Sequence, residues 1–317
     1  MDEQDLRNSI LRSDPALSIY EPLSRILLFD RFNTGFHGWE SFFPDYDGWE
    51  DYPGRYEHAL PLRDLLSESS GNKSLRIDQK LPVGSRSVPM LSSLTSWDIG
   101  TAGSWSGNYA LKIPTLPEKG HKAFAQKRLG SPWMGKFRIE CYFTFKTEPN
   151  DYRLGETDVK ALYLTFDVMD PDHASVEETN LKRWWPSIRY LNAMDGKLIR
   201  RWQANLYGSK GVKDGPWTDL EDGVQELGFN RSPTKYQWHY LRYTFDLGTH
   251  TLTDFNCNGK EFNVCGKTHA PEPPLKGFRA STDKCPGLIG TGFGIETNSD
   301  KRCFLYLDSV LVSATES

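Results

Sequence analysis

Acidic side chains on alternating segments are the first candidates for chemistry in this sequence. Glu140 and Asp167 fall on the polar sides of two such segments, and Glu296 lies between small and apolar neighbours. Glycoside hydrolysis needs two carboxyl groups about 5–9.5 Å apart, one of them kept protonated by its surroundings. We therefore hypothesise that these acids converge in a groove as acid and base, with Arg189 stabilising developing negative charge. The alternative is that they are solvated strand acids in ordinary ion pairs.

Aromatic and polar side chains could hold a sugar beside these acids. Sugar C–H faces stack on indole rings, while polar groups bind the hydroxyls. The preferred stacking candidates are Trp97, next to Asp98 in a Gly/Ser-rich loop, and Trp202, on a predicted hairpin arm. Many tryptophans must instead be buried in the core, and a histidine is often an ordinary hydrogen-bonded residue. The further candidates to line the groove are Arg138, Tyr142, His58 and His239.

Asp30 and Asp308 are candidate ligands of a structural calcium ion. They lie in the first and last predicted strands, which we expect to be neighbours, and calcium prefers oxygen ligands. The alternative is that both acids cap turns or lie in water. The seven histidines have neither H-x-H nor H-E-x-x-H spacing, so no zinc site is predicted. The nucleophile elbow and the nucleotide-binding fingerprints are also missing, and no required cofactor is expected.

Strands must position these residues, because alternation of apolar and polar side chains dominates from about residue 108 onward. In residues 136–146, KFRIECYFTFK, every second side chain is apolar. Asp195-Gly196 and Asn258-Gly259 separate alternating runs and predict tight hairpin turns. Little helical periodicity is present. The pattern therefore predicts an all-β fold, an antiparallel two-sheet β-sandwich or jelly roll with long loops and little helix.

A single domain is expected, because no polar linker separates two complete hydrophobic sets. We assign residues 1–23 to an N-terminal extension and residues 24–317 to the sandwich. Segments rich in glycine, proline and aspartate do not alternate and are predicted to be loop insertions. These insertions are placed near residues 39–89, 205–234 and 268–286.

The composition excludes several classes of protein. The 38 basic and 42 acidic residues give a net charge of −4, so a nucleic-acid footprint is not expected. No apolar run approaches the ~18 residues of a membrane-spanning helix, so a membrane partner is not expected either. The acidic amino end lacks a secretory pattern and predicts a cytoplasmic location. Five cysteines without close spacing are interpreted as free thiols.

Three segments carry a resemblance to a known superfamily. The opening LFDRFNTGFHGW, the later SGNYALKI and the closing FLYLDSV resemble the first two strands and the last strand of concanavalin A-like lectin/glucanase jelly rolls. Within that superfamily, LSSLTSWDIGT joined to SGNYALKI resembles a microbial domain family of unknown function. The resemblance implies a two-sheet sandwich whose concave face commonly holds a saccharide. The catalytic motif E-x-D-x-x-E is missing, so no catalytic role is transferred.

These observations favour a carbohydrate-active protein. The preferred hypothesis is a glycoside hydrolase or lyase acting on a saccharide in the concave groove. The first alternative is a non-catalytic, lectin-like protein that uses the same groove. The second alternative is an intracellular sandwich that binds or converts a small hydrophobic metabolite. The sequence leaves the oligomeric state, the sugar and the linkage open.

Overall fold

The computed structural model describes residues 9, 13–41, 89–92, 103–130, 135–147, 155–169, 183–205, 217–229, 236–264, 267–268 and 288–315. Strands dominate these residues. Short 3₁₀ turns span Pro15–Leu17 and Glu156–Asp158. The strands are β1 Arg25–Asp30, β2 Glu40–Ser41, β3 Met90–Leu91, β4 Leu111–Pro114, β5 Lys122–Gly130, β6 Lys136–Thr147, β7 Val159–Met169, β8 Arg183–Trp184, β9 Ser187–Met194, β10 Lys197–Asn205, β11 Trp217–Val224, β12 His239–Asp246, β13 Thr251–Cys257, β14 Lys260–Glu261, β15 Lys267–Thr268, β16 Leu288–Thr297 and β17 Cys303–Ala314.

The strands form two antiparallel sheets. Within the described residues, sheet I has nine strands in the order β14-β13-β12-β6-β17-β4-β3, with β1 beside β17 and β15 beside β13. Sheet II has eight, in the order β11-β10-β9-β7-β16-β5-β2, with β8 beside β7. The predicted all-β, antiparallel two-sheet sandwich is therefore confirmed.

The core lies between the sheets and follows the alternation in the sequence. On β6 of sheet I, Phe137, Ile139 and Cys141 are each 0% exposed and belong to the main hydrophobic cluster. The ring of Phe166, from sheet II, stacks on Tyr243 of sheet I with centroids 5.2 Å apart. Because successive side chains of a strand alternate sides, the intervening residues point away from the partner sheet. We call that side of each sheet its outer face.

A cavity of about 20 Å³ remains between the sheets. It is lined by apolar groups such as Phe143, Leu164 and Leu307 and is no larger than a water molecule requires. This space does not fit a small hydrophobic metabolite.

Tight turns set the register of the hairpins. Asp195 and Gly196, with φ of 50° and 73°, connect β9 to β10. Asn258 and Gly259, with φ of 52° and 81°, connect β13 to β14. Both central residues of each turn are in the left-handed region, which is the geometry that asparagine, aspartate and glycine tolerate best. Both predicted hairpins are confirmed.

The insertion predicted near residues 205–234 needs a correction, because it contains β11. The sequence WTDLEDGV does not alternate cleanly, and a bulge interrupts its pairing with β10 between Arg201 and Gln203. An edge strand with acidic side chains is difficult to recognise from periodicity alone. Most of the other two predicted insertions lies outside the described residues.

Two further properties concern only the described part of the chain. None of its helical segments has the length and apolar character needed to cross a membrane. Cys141, Cys257 and Cys303 are buried free thiols, as the uneven cysteine count predicts.

Candidate functional site

The outer face of sheet II carries two parallel rows of side chains that cross the strands. Each row follows residues that are directly paired between neighbouring strands. The two rows are two residues apart along each strand, so their side chains lie on the same face. The charged row contains Asp219, Gln203, Arg189, Tyr163, Gly294 and Phe124. The hydroxyl–amide row contains Trp217, Asn205, Ser187, Thr165, Gly292 and Gln126.

A line of polar contacts runs along the charged row. The Nε of Arg189 donates to Oε1 of Gln203 at 2.6 Å, and Nε2 of Gln203 donates to Oδ1 of Asp219, also at 2.6 Å. The guanidinium of Arg189 also interacts with the hydroxyl of Tyr163, and that hydroxyl donates to the carboxylate of Glu296. The line therefore joins the carboxylates of Asp219 and Glu296. Between them lie the cation of Arg189 and the neutral side chains of Gln203 and Tyr163.

Burial gives this line its electrostatic character. Tyr163 is 3% exposed and Glu296 is 2% exposed. Burial and the charge of Glu296 raise the pKa of Tyr163 well above its ordinary value, so the phenol stays protonated and acts as a donor. Lys160 contacts the same carboxylate, with Nζ 2.6 Å from Oε1 of Glu296. The acid is thus held by one ion pair and one hydrogen bond.

Aromatic rings flank the line. The guanidinium carbon of Arg189 lies 4.5 Å from the ring centroid of Trp217. The ring of Tyr163 lies 5.8 Å from that of Trp217 on one side and 5.4 Å from that of Phe124 on the other. The cation–π contact and the tilted ring contacts fix the planes of these groups. The face therefore combines flat apolar surfaces with hydrogen-bonding groups.

The hydroxyl–amide row is buried and only partly satisfied. The hydroxyl of Ser187 donates to Oγ1 of Thr165 at 2.7 Å, and Nε2 of Gln126 donates to Glu40 at 3.0 Å. Oε1 of Gln126 and Nε1 of Trp217 are buried polar atoms with no hydrogen-bond partner in the part of the chain that the structure describes. The row thus ends in an unpaired acceptor on one side and an unpaired donor on the other.

Three predicted catalytic residues share this face. Glu296 and Arg189 are joined through Tyr163, as described above. Asp167 is opposite Gly290, six residues from Glu296 along β16, a separation of about 20 Å at about 3.3 Å per residue. That separation exceeds the about 5–9.5 Å of a glycosidase carboxyl pair. The expected convergence of Asp167 with Glu296 is therefore wrong.

Glu140 lies on the outer face of sheet I, on the far side of the sandwich, and does not meet Asp167 or Glu296. It is 0% exposed and accepts hydrogen bonds from the Glu21 amide at 2.8 Å and from the Tyr240 hydroxyl at 2.5 Å. Burial raises the pKa of its carboxyl. Its expected place in a shared groove was wrong because alternation distinguishes core from non-core but not one outer face from the other.

Arg138 and Tyr142, predicted to bind substrate, lie on the same outer face as Glu140. Arg138 donates to the Thr244 hydroxyl at 2.9 Å and to the Glu21 carbonyl at 2.6 Å. The Tyr142 ring stacks on Trp105, with centroids 4.3 Å apart and an interplanar angle of 9°. Neither side chain contacts the rows of sheet II, from which the whole sandwich separates them.

Trp202 and His239 lie in the core rather than on a groove. Trp202 is 3% exposed, and its ring packs edge-on against Phe255 with centroids 4.8 Å apart. His239 is 6% exposed, and its two ring nitrogens lie 3.0 Å from the Gly228 carbonyl and 2.9 Å from the Asn258 side chain. Burial lowers the pKa of His239. The expected sugar contacts of both residues are therefore corrected to structural roles. Trp97, Asp98 and His58 lie outside the described residues.

The two predicted calcium ligands are surrounded by N–H and O–H donors. Asp30 accepts from the Phe32 amide and the Trp39 indole, both at 2.9 Å, and lies 2.8 Å from Nδ1 of His37. Oδ2 of Asp308 accepts two amide hydrogen bonds at 2.6 and 2.8 Å, from Trp105 and the following residue. Both carboxylates accept hydrogen bonds from loop residues and so stabilise those loops. Groups that point N–H bonds at a carboxylate do not fit a cation at the same place. The described residues contain no group of three or more metal-binding side chains. The calcium ion stays a prediction without support from these contacts.

Sequence reasoning missed several residues of the face. Tyr163 and Thr165 alternate with apolar residues on β7 and so belong to its non-core side. Neither carries the carboxyl group on which the predicted catalytic site is based. Gln203 belongs to the same arm as Trp202 and alternates with it. Trp217 falls within the predicted insertion near residues 205–234, whereas the structure places it in β11. The residues of these rows become neighbours only through strand pairing, which no short motif records.

Comparisons with solved structures find neighbours at low identity and low TM-score. A lectin UEA-II complexed with galactose is 8% identical, with a TM-score of 0.35, over 72% of this chain and 92% of that one. The cellulose induced protein Cip1 is 16% identical, with a TM-score of 0.34, over 72% and 87%. The alginate lyase AlgAT5 from Polysaccharide Lyase family 7 is 9% identical, with a TM-score of 0.28, over 65% and 78%.

Comparison at the level of sequence gives a family. No curated protein matches the chain. The model of one protein family, a domain of unknown function designated DUF6772, matches residues 7–316. Since this match spans nearly the entire chain, the protein belongs to the DUF6772 family.

Proposed function

We propose that the outer face of sheet II binds a saccharide. The observation that carries this proposal is the pair of unsatisfied polar atoms in the hydroxyl–amide row, Nε1 of Trp217 and Oε1 of Gln126. A buried polar atom without a partner costs roughly 1–3 kcal/mol, so proteins keep few of them. A ligand that supplies the missing hydrogen bonds would remove this cost at both ends of the row.

The positions of these two atoms favour an extended polyol. Trp217 and Gln126 are five strands apart, a distance of about 24 Å at about 4.8 Å per strand. One end of the row needs an acceptor and the other a donor, and a sugar hydroxyl provides both. An oligosaccharide lying across the strands could therefore satisfy both ends of the row.

The aromatic groups support the same choice of ligand. Trp217, Tyr163 and Phe124 place rings beside hydrogen-bonding groups, the combination that pairs with the C–H faces and hydroxyl edges of sugars. The resemblance of the sequence to concanavalin A-like jelly rolls, whose concave face commonly holds a saccharide, is a further reason for it.

Binding is favoured over hydrolysis by the spacing of the acids. On this face, Asp167 and Asp219 are each about 20 Å from Glu296, counted along the strands or across them. Neither pair suits direct or water-mediated attack at a glycosidic bond. Hydrolysis by these carboxylates is therefore not part of the proposal.

A lyase reaction is the second candidate, and one observation favours it. The Tyr163 hydroxyl is held between Arg189 and Glu296, so a protonated phenol is aligned as a proton donor. In an elimination, a base removes a proton next to a carboxylate, the bond to the glycosidic oxygen breaks, and that oxygen leaves with a proton from a donor. In such a step Glu296 would take the proton next to the carboxylate of the sugar, and Tyr163 would give its own proton to the leaving oxygen. The proton on Glu296 would then pass to the phenolate through their hydrogen bond, which restores both groups.

A matched pair of tryptophan variants tests the proposal. Trp217→Ala removes a ring of the proposed site, and Trp105→Ala removes a half-exposed ring on the opposite side of the sandwich. Calorimetric titration against a panel of oligosaccharides should show at least tenfold weaker binding for Trp217→Ala, a loss of about 1.4 kcal/mol. Trp105→Ala should bind as the wild type does.

Three outcomes would contradict the proposal: no saccharide in the panel binds, Trp217→Ala binds normally, or both variants weaken binding equally. Mass spectrometry of the same mixtures distinguishes the two candidates. Intact saccharide indicates binding alone, whereas an unsaturated product that disappears in Tyr163→Phe indicates elimination.

A further inference from the structure

Arg189 is an arginine of the charged row whose described contacts are with neutral groups. Among the described residues, no carboxylate oxygen lies within ion-pair distance of its guanidinium, whose partners are the neutral Gln203 and Tyr163 and the ring of Trp217. On the adjacent strand, Arg200 pairs with Glu156 at 2.8 Å. Charged groups that are mostly removed from water are normally paired. Arg189 is therefore an unusual cation on a largely buried face.

The surroundings of Arg189 do not compensate for its burial. Burial lowers the pKa of its guanidinium, opposed by the more distant charges of Glu296 and Asp219. Two further ammonium groups lie near this end of the face: Lys160 reaches Glu296, and Lys122 lies 5.8 Å from the ring of Tyr163. Cationic groups close to Arg189 add to the attraction for a negative ligand.

We propose that the saccharide bound on sheet II carries an oxyanion, a carboxylate or a sulfate, that pairs with Arg189. This inference rests on the proposed function and names the ligand class. The planar guanidinium presents donors in a fork that matches both oxyanions. The flanking contacts with Gln203 and Trp217 fix the plane of that fork before a ligand arrives, which lowers the entropy cost of binding.

Three oligosaccharides of equal length test the inference, namely a uronic acid oligomer, a sulfated oligomer and a neutral oligomer. At least one anionic oligomer should bind at least tenfold more tightly than the neutral one. Arg189→Gln should abolish that preference. Arg138→Gln, which changes an arginine on the opposite side of the sandwich, should keep it. Tighter binding of the uronic acid oligomer indicates a carboxylate, and tighter binding of the sulfated oligomer indicates a sulfate.

The outcomes separate the two proposals. If the neutral oligomer binds as tightly and Trp217→Ala still weakens binding, the oxyanion is wrong and the saccharide site stands. Retention of the anionic preference in Arg189→Gln likewise overturns the oxyanion alone. If none of the oligomers binds, both proposals fail.

A measurement without ligand guards against a folding artefact. Arg189→Met removes a cation that forms no ion pair with the described residues, so the melting temperature of the free protein should change by no more than about 2 °C. Arg242→Met should lower it much further, because Arg242 pairs with Asp254, Glu21 and Glu261, and its loss leaves Asp254, among the described residues, with only the longer ion pair to Arg138. An equal fall in both variants would show that Arg189 is structural and would overturn the inference.

Discussion

The ring of Phe124 lies directly on Gly294 of the neighbouring strand. A Cβ atom at position 294 would be far closer to that ring than the 3.0 Å that real Cβ atoms keep. Glycine is therefore required for the ring to lie flat against the sheet. On its other side Phe124 contacts Tyr163, so the same glycine helps to hold the charged row in place.

We expect Gly294→Ala to displace Phe124 and destabilise the protein by about 1–3 kcal/mol, the usual cost of overpacking. Saccharide affinity should fall in the same variant, because Tyr163 loses its support. Urea unfolding and titration measure the two effects. Gly290→Ala is the control: its Cβ would be 3.1 Å from Cβ of Asp167, a contact that a small shift relieves. Equal destabilisation by both substitutions would contradict the role of Phe124.

Asp308 makes stability depend on pH in a defined direction. Burial raises the pKa of its carboxyl to about 6, from an ordinary value of 3.8. The folded state therefore binds the proton more tightly than the unfolded state does. The resulting stabilisation is complete below about pH 4 and is lost as the pH rises through about 6. Two pKa units correspond to about 3 kcal/mol.

The difference between wild type and Asp308→Asn isolates this contribution. Asparagine keeps an oxygen that can accept from the amides of Trp105 and Ser106 but does not titrate. Relative to the variant, the wild type should lose about 3 kcal/mol of unfolding free energy between pH 4 and pH 7. A constant difference across this range would refute the assignment.

Residues 14–24 are predicted to be part of the folded unit. The Tyr20 hydroxyl donates to the Ser309 carbonyl at 2.9 Å, and the Leu23 amide donates to the Ser313 hydroxyl at 3.0 Å. Tyr20→Phe should cost about 1–3 kcal/mol, because the buried carbonyl loses its donor. Deletion of residues 1–23 should cost more than deletion of residues 1–12. Equal melting temperatures for the two deletions would instead support a detachable extension.

Trp202 is expected to contribute to stability and not to recognition. Trp202→Ala removes a buried ring that contacts Phe255 and Phe262, so it should cost about 3–5 kcal/mol. Trp105→Ala removes a ring that is 46% exposed and should cost much less. Chemical denaturation of both variants measures the comparison. A small loss for Trp202→Ala would place this ring outside the essential core.

The sequence by itself determined the strands and the side of each strand that faces the core. In residues 136–146 and 161–169, alternation separates Ile139 from Glu140 and Leu164 from Tyr163, because successive side chains of a strand point to opposite sides. The Asp195-Gly196 and Asn258-Gly259 turns were also predictable, since their backbone geometry demands those residue types.

Only the tertiary structure decided which outer face each polar residue occupies. A sandwich has two outer faces, and period-two alternation is the same for both. Pairing of β6 with β12 and β17 carries Glu140 to one side, whereas pairing of β7 with β9 and β16 carries Asp167 to the other. The row that joins Tyr163, Arg189 and Gln203 likewise exists only through the register between strands, because contacts distant in sequence set that register.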